Sequence, residues 1–268
     1  MNFNRNARLI KGVYSVFLLA MLLYLLIPLT ATFLYSIATR WTTSVLPEHF
    51  TVKWFLALFS DQAFYMAMLR TFVLAVVGTL GSILLIVPTV YVLYVYHRKW
   101  LWIMDALQIV SFAVPAVISA MSFMSAYSGK GIPMLALVIG SYIVGGVPII
   151  QIGTRNALNT IDSRVLVESS EILGTSKFEA FIRVILPNIK SGIIASALFR
   201  FSTLFGEFGT LNLLVGGEFP NIQIFLRQNM TKSGHYTAAI SISYFIIVTL
   251  MTVLGLKMTN DLTRKEQI

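Results

Sequence analysis

Glu207 and Arg200 are ionisable side chains set within a long apolar run, Ser191–Gly217. Charge at membrane depth is costly, so such residues face a bundle interior or a water path and pair with one another or with solute. They lie seven residues apart, two helical turns along roughly one face. Electrostatic chemistry fits them: lining a route for a small polar solute, or forming a structural ion pair, with Arg200 alternatively snorkelling toward the cytoplasmic side. Ser111, Ser119 and Ser122 could add polar contacts to the same route, although small polar residues also mediate helix packing. Pro115 and Pro148, the latter preceded by Gly145-Gly146, interrupt their helices as gates or hinges, or equally as passive kinks.

Catalytic chemistry has no comparable basis. His49, His97 and His235 are isolated at span ends or in outer loops and the chain has no cysteine, so neither a metal site nor a catalytic triad is expected. Gly129-Lys130-Gly131 carries a lysine but no hydroxyl residue after it, and no strand–loop–helix setting surrounds it. No phosphate-binding loop for ATP is therefore expected on this chain. Asp105 and Gln108, one helical turn apart, read as interfacial polar residues. No acid, base or nucleophile constellation supports an enzyme.

The elements that position these residues are membrane spans. Of 268 residues 57% are hydrophobic and only 12% charged, with a mean hydropathy of +0.79. Soluble domains are about a quarter charged, so this composition cannot cover a soluble surface. Six apolar stretches reach the length of about 18 residues or more that crosses a bilayer: 12–38, 71–96, 101–127, 132–152, 191–217 and 237–258. No period-2 alternation suggests a barrel, which predicts a single-domain, all-α polytopic membrane protein. His97-Arg98-Lys99-Trp100 joins the second and third spans in a tight hairpin.

Basic residues set the orientation. Thirteen Lys and Arg fall at the N-terminus (Arg5, Arg8, Lys11), in the 97–100 turn, in loop 153–190 and at the C-terminus (Lys257, Arg264, Lys265). Six fall on the opposite side, which puts both termini and loop 153–190 in the cytoplasm. The net charge of +9 thus marks topology and not a nucleic-acid partner. The N-terminal apolar run is too long for a signal peptide and is read as a retained first span. On the outer side Phe50, Trp54, Phe55, Leu58, Phe59, Phe64 and Met68 recur at helical spacing, as an interfacial helix or one packed on the bundle rim.

Loop 153–190 is long for a connection and has its own punctuation. A short helix starting near Asp162 or Ser163 would carry Val165, Ile172 and Leu173 on one face. Gly174 would end it in the left-handed conformation. A second helix from Thr175 or Ser176 would carry Phe178, Phe181, Ile182 and Ile185, and Pro187 would limit its continuation. A short helix with an exposed apolar face needs a groove on another protein.

Glu168-Ser169-Ser170, three residues, Gly174, nine residues, then Val184-Ile185-Leu186-Pro187 resembles the EAA loop of ATP-binding-cassette importer permeases. Serines replace both alanines of the family pattern and valine replaces its isoleucine. Thr51-Val52-Lys53-Trp54-Phe55 is similar to the outer segment of spermidine/putrescine-type permeases, and Gly206-Glu207-Phe208-Gly209 to permeases for other small polar solutes. The resemblance implies a MetI-like type I permease fold with a cytoplasmic coupling helix in the bacterial inner membrane. Glu168, Ser169, Ser170, Gly174, Leu186 and Pro187 would form the ATPase-coupling element. It also implies a second permease subunit, two ATPase subunits that bind ATP and magnesium, and an extracytoplasmic solute-binding protein docking near the 216–234 loop. The implied solute is a polyamine, or ferric iron, thiamine, an aminophosphonate or an oxyanion. An autonomous secondary carrier or channel is the rival reading, but it would need internal repeats or charged pathway residues that the sequence does not clearly contain.

Overall fold

The computed structural model describes residues 3–42, 44 and 46–265, with side chains between Lys11 and Lys257. Arg5, Arg8, Arg264 and Lys265, used in the charge count, have side chains outside the described set. Two compact units form: one from the segments up to Phe64 and Leu226–Ile246, the other from Tyr65–Phe225 and the segment from Ile247 on. Among the described residues the only strand-like pairing is the isolated bridge Ala38–Phe50.

In the first unit, α1 (Phe3–Ser36) leads into a tight return across residues 37–51 and then α2 (Lys53–Phe59). The return is held by Thr39 donating to the His49 carbonyl (2.9 Å) and Thr51 donating to that of Ile37. The Trp54 indole donates to the Ala38 carbonyl (2.9 Å), and His235 stacks between Tyr35 and Trp54. His235 is thus a packed aromatic partner, its Nδ1 lying 2.8 Å from the Tyr35 carbonyl.

α3 (Gln62–Val95) begins nine residues earlier than the expected span 71–96. The reason is Asp61, whose carboxylate accepts the Ala63 N–H at 2.8 Å and caps the helix. Phe64 and Met68 consequently belong to α3, and only Trp54, Phe55, Leu58 and Phe59 of the outer aromatic series sit on α2.

In the second unit, the expected third span is two helices, α4 (Leu101–Ala113) and α5 (Ala116–Tyr127), bent by 93°. Pro115 forces Val114 into the extended region (φ −93°, ψ 113°), and the helix cannot continue through it. α6 (Met134–Val144) and α7 (Val147–Asn159) form the fourth span, interrupted at Gly145-Gly146. Pro148 lies in the first turn of α7, where its missing N–H costs no helical bond. Among the described residues five helical stretches are long and apolar enough to cross a membrane, and six when the bent α4–α5 pair is one span.

α8 (Ser163–Ile172) and α9 (Lys177–Ala180) lie between the fourth and fifth spans, and a π-turn over Phe181–Ile185 runs without a break into α10 (Leu186–Phe205). Pro187 therefore does not stop a helix, as expected from sequence, but sits in its first turn. The wider π-turn accommodates the ring, and the Asn188 side chain donates to the Val184 carbonyl at 2.7 Å. With α7 reaching Asn159 and helix resuming at Lys177, the irregular part of the expected 153–190 loop shrinks to its middle.

α7 and α10 pack closely because small residues face one another. A Cβ on Gly192 would stand 2.7 Å from that of Ala157, and one on Gly153 would collide with Ser196. The core around this pair joins Ile86 and Val90 of α3, Ile150 and Leu158 of α7, and Ile185 and Ile189. α11 (Gly209–Leu214), a 3-10 turn at Gly216–Glu218 and α12 (Ile222–Asn229) follow, and α13 (Gly234–Lys265) closes the chain.

Candidate functional site

The segment from Asp162 to Ile185 has the architecture that its punctuation implies. α8 follows Asp162 at its N-terminal boundary, with the Leu166 N–H donating to the Asp162 carbonyl. Gly174 has φ +89°, the left-handed conformation, and the chain reverses there. Ser176 caps α9 by accepting the Glu179 N–H at 3.2 Å.

One face of this segment is rooted in the core. Val167, Ala180 and Ile185 are fully or almost fully buried, as is Phe181 for the most part. Ser170 is also buried, its hydroxyl donating to the Val167 carbonyl at 2.8 Å, and the Tyr96 hydroxyl donates to Glu171 at 3.1 Å. The opposite face is bare: Ile172 is 85% exposed, Leu173 84% and Phe178 75%. Val165 and Ile182 extend it, so Phe181 and Ile185 separate from Phe178 and Ile182 and point inward. Glu168 is exposed and paired to Arg164 at 2.9 Å across one helical turn. Of the six residues predicted to form the element, Glu168, Ser169 and Gly174 are exposed at the reversal, Ser170 anchors inward, and Leu186 and Pro187 open α10.

The second polar assembly lies among α6, α10 and α11. Arg200 is nearly buried and donates through Nη2 to the Tyr142 backbone carbonyl at 2.5 Å. The Tyr142 hydroxyl donates to the Glu207 carboxylate. That carboxylate also accepts the Thr210 N–H at 2.6 Å and the Leu211 N–H at 3.4 Å, while the Asn221 amide donates to the Glu207 carbonyl at 2.7 Å. Arg200 and Glu207 are therefore linked through Tyr142 and not joined directly. α10 ends at Phe205, so Glu207 stands in a helix break and not at mid-span; its carboxylate compensates the unpaired amides of α11.

Ser111 and Ser122 donate back to the carbonyls four residues earlier, and Ser119 is half-buried on α5. The structure does not bring these serines into the Arg200–Glu207 network. Asp105, read as interfacial from sequence, bridges helices while staying part-exposed: it pairs with Arg155 at 2.6 Å and accepts from Gln151 at 3.3 Å. Tyr142 and Asn221 were not singled out by sequence, because a tyrosine in an apolar run and an asparagine after a proline have many uses. The signal available was the need of a part-buried carboxylate within an apolar run for several donors.

The family described as binding-protein-dependent transport system inner membrane component matches residues 90–258. Among curated proteins, the sulfate transport system permease protein CysT of Escherichia coli (strain K12) is 22% identical over 209 residues, covering 72% of this chain and 73% of that protein. The spermidine/putrescine transport system permease protein PotB of Haemophilus influenzae is 26% identical over 137 residues, covering 50% of this chain and 47% of that one. Among solved structures, a chain of the inward-facing MetNI methionine ABC transporter aligns with a TM-score of 0.61 at 16% identity, covering 75% of this chain and 99% of the other. A chain of a bacterial ABC transporter involved in the import of the acidic polysaccharide alginate aligns with a TM-score of 0.63 at 18% identity, covering 97% of both. At these identities the structural likeness speaks to the fold.

Proposed function

The chain belongs to the family of binding-protein-dependent transport system inner membrane components and is a multi-pass ABC importer permease of the plasma membrane, and on that premise we propose that its 162–187 segment transmits ATPase motion to the translocation path. The observation that carries the proposal is the bare apolar face of Ile172, Leu173 and Phe178 on a segment whose other face is fixed in the core. Full burial of such side chains contributes about 1.5–3 kcal/mol each, enough for three anchors to hold a docked partner. Rooting through Val167, Ala180 and Ile185 lets a push on the exposed face reach α7 and α10 without being absorbed by a loose loop.

In this reading two ATPase chains, with their ATP and magnesium, seat the exposed face on the cytoplasmic side, where both termini also lie. A second permease completes the path, and an extracytoplasmic binding protein delivers a small polar solute. ATP binding favours the outward-facing state and hydrolysis resets the inward-facing one. The bent α4–α5 pair, α6–α7 and α10 line the route, with Ser111, Ser119 and Ser122 as its polar contacts and Pro115 and Pro148 at its flexing points. Glu207 and Arg200 set the shape of that route through Tyr142. The relatives' printed solutes, sulfate and spermidine/putrescine, carry opposite charge, so the solute class proposed is small and polar, polyamine-like or one of the alternatives implied by sequence.

Glu168→Arg removes the pair with Arg164, and Gly174→Pro is incompatible with φ +89° because proline fixes φ near −65°. Both variants are expected to insert in the membrane yet lose ATPase association or ATP-dependent uptake. Normal transport by both would overturn the coupling role.

A further inference from the structure

A groove of about 520 Å³ opens where the end of α3 meets α9. Its floor is apolar, formed by Pro88, Tyr91, Val92 and Phe181, and its mouth carries Lys177 and His97. Pro88 lies eight residues before Tyr96, so the floor runs roughly 12 Å back along the helix from the mouth. The floor belongs to the uncharged apolar part of the span, whereas Arg98 and Lys99 immediately follow the mouth. Tyr94 and Tyr96, both part-exposed between floor and mouth, match the aromatic belt found at a membrane–water boundary.

No carboxylate pairs directly with the lysine at the mouth among the described residues. Lys177 makes no ion pair among the described residues and rests over the Tyr96 ring at 4.8 Å from its centroid. Glu179 pairs with Arg183 at 3.2 Å, and Glu171 accepts the Tyr96 hydroxyl beside the mouth, one negative charge against the positive charges of Lys177, Arg98 and Lys99. Arg98 lies over Tyr94. The groove thus joins an apolar slot at membrane depth to a cationic rim at headgroup level.

We propose that this groove binds an anionic phospholipid, one acyl chain lying along Pro88, Val92 and Phe181 and the phosphate meeting Lys177 and His97. A soluble ATPase surface docked on Phe178 cannot follow the groove to Pro88 below the headgroups, whereas an acyl chain can. Basic pockets between spans on the cytoplasmic side take such headgroups. The proposal rests on the membrane placement of this face and is independent of ATPase coupling. Because the lipid would touch both α3 and α9, it would also brace the 162–187 segment against the membrane.

The test uses the full-length protein, purified in mild detergent and offered dioleoyl phosphatidylglycerol or dioleoyl phosphatidylcholine, with retained lipid read by native mass spectrometry. Phosphatidylglycerol is expected to be retained preferentially. Lys177→Gln should lower its apparent affinity about fivefold, the effect of one basic charge near a headgroup. Val92→Trp, which fills the floor, should displace the lipid while the protein still elutes as a monodisperse species. Equal retention of the two lipids would overturn the proposal, as would phosphatidylglycerol retention unchanged in both variants. So would protection of a Val92→Cys label by added ATPase but not by added phosphatidylglycerol.

Discussion

Tyr142→Phe isolates the bond that links the end of α10 to the rest of the membrane core. Tyr142 is 3% exposed, and its hydroxyl donates to the Glu207 carboxylate that also caps α11. The substitution keeps the ring and the backbone carbonyl that Arg200 uses, so only the Glu207 bond is lost. A hydrogen bond to a charged acceptor is worth about 1.5–3 kcal/mol. Glu207 retains the Thr210 and Leu211 amides, which places the expected loss near the lower half, about 2 kcal/mol. At about 1.4 kcal/mol per tenfold, local opening of the α11 region should become roughly 30-fold more frequent. Hydrogen–deuterium exchange of the purified protein reads this as faster exchange across residues 207–225, where Asn221 also leans on the Glu207 carbonyl. Exchange over 189–199 should stay unchanged, because the α7–α10 packing does not pass through the hydroxyl. Unaltered exchange across 207–225 would refute the view that Glu207 fixes the break between α10 and α11.

Two further substitutions probe the scaffold. Gly153→Val places side-chain atoms where Ser196 already lies and should destabilise the α7–α10 pair by about 1–3 kcal/mol, read as a lower melting temperature and poorer monodispersity; an unchanged melt would refute the close approach. Asp105→Asn breaks the pair with Arg155, but both side chains are more than a third exposed, so the cost should stay below about 1 kcal/mol by the same melt. A loss of several kcal/mol there would mean that the pair is shielded from solvent in the assembled protein.

Sequence carried the membrane class and the number of spans well, because twenty apolar residues in a row have few alternatives. It also carried the segment around Gly174, where the reversal needs a left-handed residue and glycine supplies it. Span ends were less legible. The apolar residues after Gly206 continue the hydropathy of α10, so length alone merges Phe205 with Leu214, although the helix stops between them. Asp61 and Gln62 look like loop because they are polar, yet the aspartate starts α3 by capping it. Pro115 marked a break, but its 93° angle depends on how α5 packs, which hydropathy does not encode. Arg200 and Glu207 were legible as a pair of interest. Their true connector, Tyr142, comes from another helix and is visible only once the chain is folded.

Proximity labelling at the exposed apolar face tests the coupling role most directly. The chain has no cysteine, so Leu173→Cys introduces a unique thiol on a side chain that is 84% exposed. In membranes containing the assembled transporter, a short bifunctional thiol reagent should cross-link this position to a cysteine-bearing ATPase subunit, with a yield that changes when ATP is added. Thr51→Cys, in the outer return, should give no such product. Absence of any ATPase cross-link at Leu173→Cys, in a transporter that still imports solute, would contradict the account.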